Sequence, residues 1–200
     1  MNRLMTIAAA SAGLALLQGC VAPVGPVEVT RFHIPDAAPA MHGTIAVEPA
    51  DGNDSQSLEF RTYAAAVARE LNRIGYSELV AGGNSSDYVA VLAIGRRSFQ
   101  PGRDRSPVSV GVGGNTGSYG SGVGVGIGLD LSGPPPEQIE TRMSVMIRKR
   151  ASDTTVWEGR ASFAAKAGSP LAGSQLGASK MAAALFQDYP GVSGETILVK

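Results

Sequence analysis

The chain has 200 residues, a length for one domain or two small ones, and its 17 Lys and Arg balance 17 Asp and Glu. That neutral balance excludes a general nucleic-acid binder, which needs a cationic surplus to hold phosphates. A hydrophobic share of 44% against 17% charged excludes a wholly disordered chain.

Met1-Asn2-Arg3 carries one positive charge and precedes an uncharged run, Leu4 to Leu17, rich in Ala and Leu. A positive start, a short apolar run and small residues after it make the pattern of a secretory leader. The run of 14 residues spans about 21 Å as a helix, short of the ~30 Å hydrocarbon core of a bilayer. Its end, Leu17-Gln18-Gly19-Cys20, resembles the lipobox of bacterial lipoproteins. The resemblance implies cleavage between Gly19 and Cys20, a thioether from Cys20 to diacylglycerol, and a further acyl chain on the new amino group. Cys20 is the only cysteine in the chain, so no disulfide competes for its sulfur. One acyl chain anchors marginally, whereas two or more hold firmly. In lipoproteins an Asp after the cysteine signals inner-membrane retention. Val21 stands there instead, which implies the outer membrane, with the domain in the periplasm. Ala22-Pro23-Val24-Gly25-Pro26 reads as a short extended tether. The expected organisation is a signal peptide over 1–19, a lipidated tether over 20–27, a domain over 28–190 with an insertion at about 100–137, and a tail over 191–200.

Within the domain, Val27 to Ile34 alternates as a strand, with Val27, Val29 and Arg31 against Glu28, Thr30 and Phe32. Gly43 to Pro49 predicts a second strand. Asp51-Gly52-Asn53-Asp54 turns, and Asp54 or Ser55 is the expected cap of a helix over Gln56–Ile74. Leu58, Phe60, Tyr63, Ala64, Val67, Leu71 and Ile74 form its apolar stripe, and Gly75 stops it. Asp87 to Gly95 is an apolar run of central-strand length. Gln138 to Arg150 alternates, with Thr141, Met143, Val145 and Ile147 on one face and Glu140, Arg142, Ser144 and Arg148 on the other. Thr155 to Ala165 sends Trp157, Ala161 and Phe163 inward and Glu158, Arg160 and Ser162 outward. These two segments predict an antiparallel hairpin with one wet face. A last helix runs from about Pro170 to Asp188, its inner side Leu171, Ala178, Ala182, Leu185 and Phe186. The sum is an α+β two-layer sandwich, a mostly antiparallel sheet with two helices packed on one face.

The same segments resemble the DUF4136 domain of bacterial lipoproteins. The matching pieces are Glu59-Phe60-Arg61-Thr62-Tyr63 leading to Leu71-Asn72-Arg73-Ile74-Gly75-Tyr76, then Ser86-Asp87-Tyr88-Val89-Ala90-Val91. Thr154-Thr155-Val156-Trp157-Glu158-Gly159-Arg160-Ala161 and a closing Phe186-Gln187-Asp188-Tyr189-Pro190 complete the order. The resemblance implies a fold and a compartment and no particular reaction.

Between Gly111 and Gly128, glycine fills 9 of 18 positions. Val123-Gly124-Val125-Gly126-Ile127-Gly128-Leu129 alternates strictly. The simpler expectation is a surface loop, because glycine is costly to order. The other is a protruding hairpin, turning at Gly113-Gly114-Asn115, whose residues Val110, Val112, Val123, Val125 and Ile127 associate with a partner, a membrane or another copy. Neither G-x-x-x-x-G-K-[ST] nor G-x-G-x-x-G occurs, so a phosphate cradle is disfavoured.

No catalytic motif is found. G-x-S-x-G is absent. His33 and His42 lack metal-pair spacing, and Asp51-x-Asn53-x-Ser55 lacks the Gly and the final acid of a calcium loop. The expectation is therefore a non-enzyme without metal or cofactor, held to the membrane by acyl chains and binding or scaffolding other envelope proteins or itself. The alternatives are a subunit of an envelope assembly, joined through the hairpin, and an enzyme whose site the sequence does not display. Arg96, Arg97, Arg103 and Arg105 form a basic cluster, read as solvated strand ends or as a contact for anionic head groups and wall polymers. Arg148-Lys149-Arg150 forms a second.

Overall fold

The computed structural model describes residues 25–34, 43–78, 86–102 and 135–200, with the backbone of 108–117 and 120–129. The leader, Cys20, the first part of the tether, His42, Arg103 and Arg105 lie outside the described residues.

Seven strands form one sheet: β1 (Val27–His33), β2 (Gly43–Pro49), β3 (Tyr76–Glu78), β4 (Tyr88–Phe99), β7 (Gln138–Lys149), β8 (Thr154–Lys166) and β9 (Thr196–Val199). Their order is β3-β2-β4-β7-β8-β1-β9. β2 runs parallel to β3 and β4, and every other pairing is antiparallel. Two helices, α1 (Leu58–Arg73) and α2 (Ser174–Phe186), pack on one face. The fold is the expected α+β sandwich. No helix among the described residues is long and apolar enough to cross a membrane.

Helix α1 follows its stripe: Phe60, Tyr63, Val67 and Leu71 are buried, and Gly75 follows it with a positive φ. Two details differ from expectation. The cap is Ser57, whose Oγ accepts from the Phe60 N–H at 3.0 Å; Asp54 accepts instead from Gln56 N at 2.9 Å and shapes the preceding turn. Leu58 is 78% exposed, because the first residue of the helix precedes its contact with the sheet. The final helical segment is divided: a 3-10 turn, Pro170–Ala172, is followed by α2 from Ser174.

Residues 191–200, expected as a tail, carry β9, which pairs with β1 from Val27↔Val199 to Thr30↔Thr196. β3 was also not anticipated. Three residues and four residues are too short for periodicity to register. The Gly-rich segment is a ribbon, not a loop: β5 (Val108–Gly117) pairs antiparallel with β6 (Gly120–Leu129). The expected turn at Gly113-Gly114-Asn115 is paired strand instead: the ladder runs from Val108↔Leu129 to Gly117↔Gly120, with Val112 opposite Val125 and Gly114 opposite Val123.

The core centres on Trp157, stacked on Phe186 with centroids 5.2 Å apart and flanked by Tyr189 at 5.3 Å. Trp157 Nε1 donates to Pro190 O at 3.0 Å, so the buried indole keeps a partner. Arg31 lies on the core side of β1, 4% exposed, and donates to the carbonyls of Ala184 and Leu185 at the end of α2. Burial pushes its pKa down, while Asp188 and Glu195 push it back up.

Candidate functional site on the open face of the sheet

The helices cover one face of the sheet and leave the other without a layer of described residues. Register sets that face out as a grid. Gly95, Arg142, Ser162 and Glu28 form one row across β4, β7, β8 and β1. Ala93, Ser144, Arg160 and Thr30 form the next. Small residues on β4 beside long ones on β7 and β8 leave a shallow depression of about 470 Å³. Arg142 and Arg160 sit diagonally across two paired strands, a separation that long side chains bridge.

Carboxylates hold these cations in place. Arg142 Nε donates to Glu140 Oε1 at 2.8 Å, and Arg97 Nε donates to Glu140 Oε2. The Arg142 bond, then Arg97, keeps the Glu140 carboxyl below the usual glutamate range, so it is ionised at neutral pH. Arg160 Nε donates to Glu158 Oε1 at 2.7 Å. Two arginines also lie against aromatic rings at 5.8 Å, Arg97 over Phe99 and Arg160 over Phe32. A guanidinium has five N–H donors and its bond to a neighbouring carboxylate engages one or two of them. The remainder suit a carboxylate or phosphate arriving from outside. The arrangement is suited to binding polar, anionic groups along an extended surface.

The sequence-derived clusters are dispersed by the pleat. Arg96 and Arg97 are adjacent and therefore point to opposite faces. Arg96 turns to the helix side, where Nη1 donates to Glu59 Oε1 at 2.9 Å and Nη2 donates to Ala172 O. It ties the start of α1 to the 3-10 turn. Arg97 belongs to the open face, so the two do not form one basic surface. Arg148 pairs with Asp153 at 2.9 Å. Arg150 reaches Glu48 at 2.6 Å and Ser86 at 3.0 Å. His33 Nε2 lies 3.1 Å from Gly191 O, near the chain's end and away from the depression. Among the described residues, no three of His, Cys, Asp and Glu gather as metal ligands.

Glu28, Thr30 and the Arg142–Arg160 diagonal were not singled out as a site. Their signal was present in the outward sets Glu140-Arg142-Ser144 and Glu158-Arg160-Ser162. What was missing was the register that brings opposite charges side by side.

No family model matches the chain. It is similar to an uncharacterized protein of Zymomonas mobilis subsp. mobilis, 29% identical over 216 aligned positions covering 88% of this chain and 80% of the relative. Among solved structures it is similar to a PDZ domain protein from Parabacteroides distasonis, with TM-score 0.47 and 11% identity over 88% of this chain; the match spans 39% of that protein's length. It is also similar to the PelC dodecamer from Paraburkholderia phytofirmans, with TM-score 0.47 and 11% identity over 80% of this chain and 97% of that one.

Proposed function

We propose that the protein is a lipid-anchored component of the bacterial cell envelope, facing the periplasm from the outer membrane, with a non-catalytic binding or scaffolding role. The observation that carries the anchor is the sole cysteine, Cys20, at the end of an uncharged run, with six residues between it and β1. A sulfur so placed leaves the folded domain close to the bilayer surface. The DUF4136-like motifs support the same compartment. The open sheet face supports binding: its depression is shallow, and its cations are already positioned by Glu140 and Glu158.

Intact-mass analysis of the protein purified from cells in mild detergent tests the anchor. The expected species begins at Cys20 and carries diacylglycerol and a further acyl chain. An uncut leader, or a free thiol at the amino terminus, overturns the reading.

A further inference from the structure

We infer that the β5–β6 ribbon lies on the bilayer to which the tether attaches, with the face that carries its aliphatic residues against the acyl chains. The inference rests on the lipid-anchor reading. Two placements carry it.

The tether and the ribbon leave the sheet at the same end. Glu28 pairs with Ser162, so Pro26 is level with Ala164. Ala164 pairs with Glu140, and Glu140 with Arg97. β4 ends two residues later at Phe99, whose partner Gln138 opens β7. Gln100 Nε2 donates to Pro135 O at 3.1 Å and closes the base of the excursion. Three strand spacings separate β1 from β4, roughly 14 Å. Residues 21–26 reach at most about 21 Å when extended. An acylated Cys20 therefore holds this end of the sheet near the bilayer, and the ribbon arises beside it.

The ribbon's composition suits that position. No charged residue occurs from 106 to 129. The register aligns Val108 with Leu129, Val110 with Ile127 and Val112 with Val125, which places these six residues on one face. The opposite face carries Gly111 paired with Gly126 and Gly113 with Gly124. A two-stranded ribbon has two open edges whose N–H and C=O groups require partners, so it does not enter hydrocarbon alone. Lying flat at the interface, it keeps both edges among hydrated head groups while its aliphatic face meets the acyl chains. The tether that fixes this end of the sheet holds bilayer beside the ribbon, whereas a second copy has to reach it by lateral diffusion.

The acylated full chain offers a direct test, because Cys20 leaves no other native thiol. A polarity-sensitive dye is attached to Val125→Cys, and in a second chain to Ser152→Cys, in the turn at the opposite end of the sheet. Both are reconstituted in phosphatidylethanolamine–phosphatidylglycerol vesicles containing doxyl-labelled lipid. The expected result is strong quenching at 125 and none at 152, repeated with Val110→Cys. Equal, weak quenching at 125 and 152 overturns the inference. Protection of the dye at 125 from both doxyl lipid and aqueous iodide also overturns it, assigning the face to a second copy. Wild-type chain treated in parallel separates the two readings. If it takes dye at Cys20, the anchor reading fails and the inference falls with it; if it takes none while 125 stays unquenched, the inference alone fails.

Discussion

Arg31 Nε donates to Leu185 O and Arg31 Nη2 to Ala184 O, both at 2.9 Å, so a strand residue terminates helix α2. The last carbonyls of a helix have no partner within it, and α2 has no basic residue in its final turn. Arg73, from α1, supplies a third donor to Phe186 O at 3.2 Å. Gly191, at φ +82°, passes directly over Arg31; a Cβ there would lie 2.7 Å from its Cδ. Arg31→Met therefore strands two carbonyls and the charges of Asp188 and Glu195, and is expected to cost about 3 kcal/mol. Arg31→Lys, with charge but no fork, is expected to cost less. Urea unfolding of both variants checks the order.

Gly159→Ala is expected to destabilise by about 1–3 kcal/mol through overpacking. An added Cβ would lie 2.3 Å from the Trp157 ring and 2.7 Å from Leu185 Cδ1, and neither rests at a flexible surface. Trp157 is the only tryptophan, so its emission reports this site without background. A red shift with a lowered thermal midpoint is the expected pair of observations.

Tyr76 and Tyr189 meet by their hydroxyls at 3.4 Å within the core. Burial pushes the Tyr76 phenol up to about 12 and pushes Tyr189 up as well. A phenol whose pKa is raised by folding stabilises the native state fully below the unfolded value near 10, and that contribution is lost as pH rises through about 12. Stability measured from pH 9 to 12 is expected to fall, and Tyr76→Phe to fall less steeply.

Asn53 stands in for a missing strand residue. Its Nδ2 donates to Ile94 O at 3.1 Å and its Oδ1 accepts from Ile94 N at 3.2 Å, beyond the point where β2 stops pairing with β4. Asn53→Ala is expected to cost about 1–2 kcal/mol. The faster exchange of the Ile94 amide measures the loss locally.

On the open face, Arg142 and Arg160 are each 63% exposed. Exposed ion pairs contribute little, so Arg142→Ala with Arg160→Ala is expected to change stability by less than about 1 kcal/mol. Thermal unfolding of the double variant checks this. A neutral result makes the pair a clean probe of binding in crosslinking experiments from cells.

Periodicity was sufficient to read most of the sandwich. The steps of α1 and the alternation of β7 and β8 each record one buried face, and burial is local information. Arg31 shows where that reading stops. Its place among Val27 and Val29 was visible, but the carbonyls that make an inward arginine tolerable belong to residues 184 and 185. Phe32, by the same alternation, is 42% exposed on the open face. The candidate site was legible as two outward-facing sets. It was not legible as a site, because register between β4, β7, β8 and β1 is a long-range property. Arg96 and Arg97 show the same limit, since adjacency in a strand separates side chains rather than gathering them.

β1 is the first of the described strands in sequence, yet its neighbours in the sheet, β8 and β9, are the last two. Glu28 pairs with Ser162 on one side and Leu198 on the other. Until β8 is made, β1 has neither companion, and until β9 is in place one of its edges stays open to strangers. Such wiring, between strands far apart in sequence, favours slow folding. It makes the four-residue β9 the clasp that covers the free edge of β1.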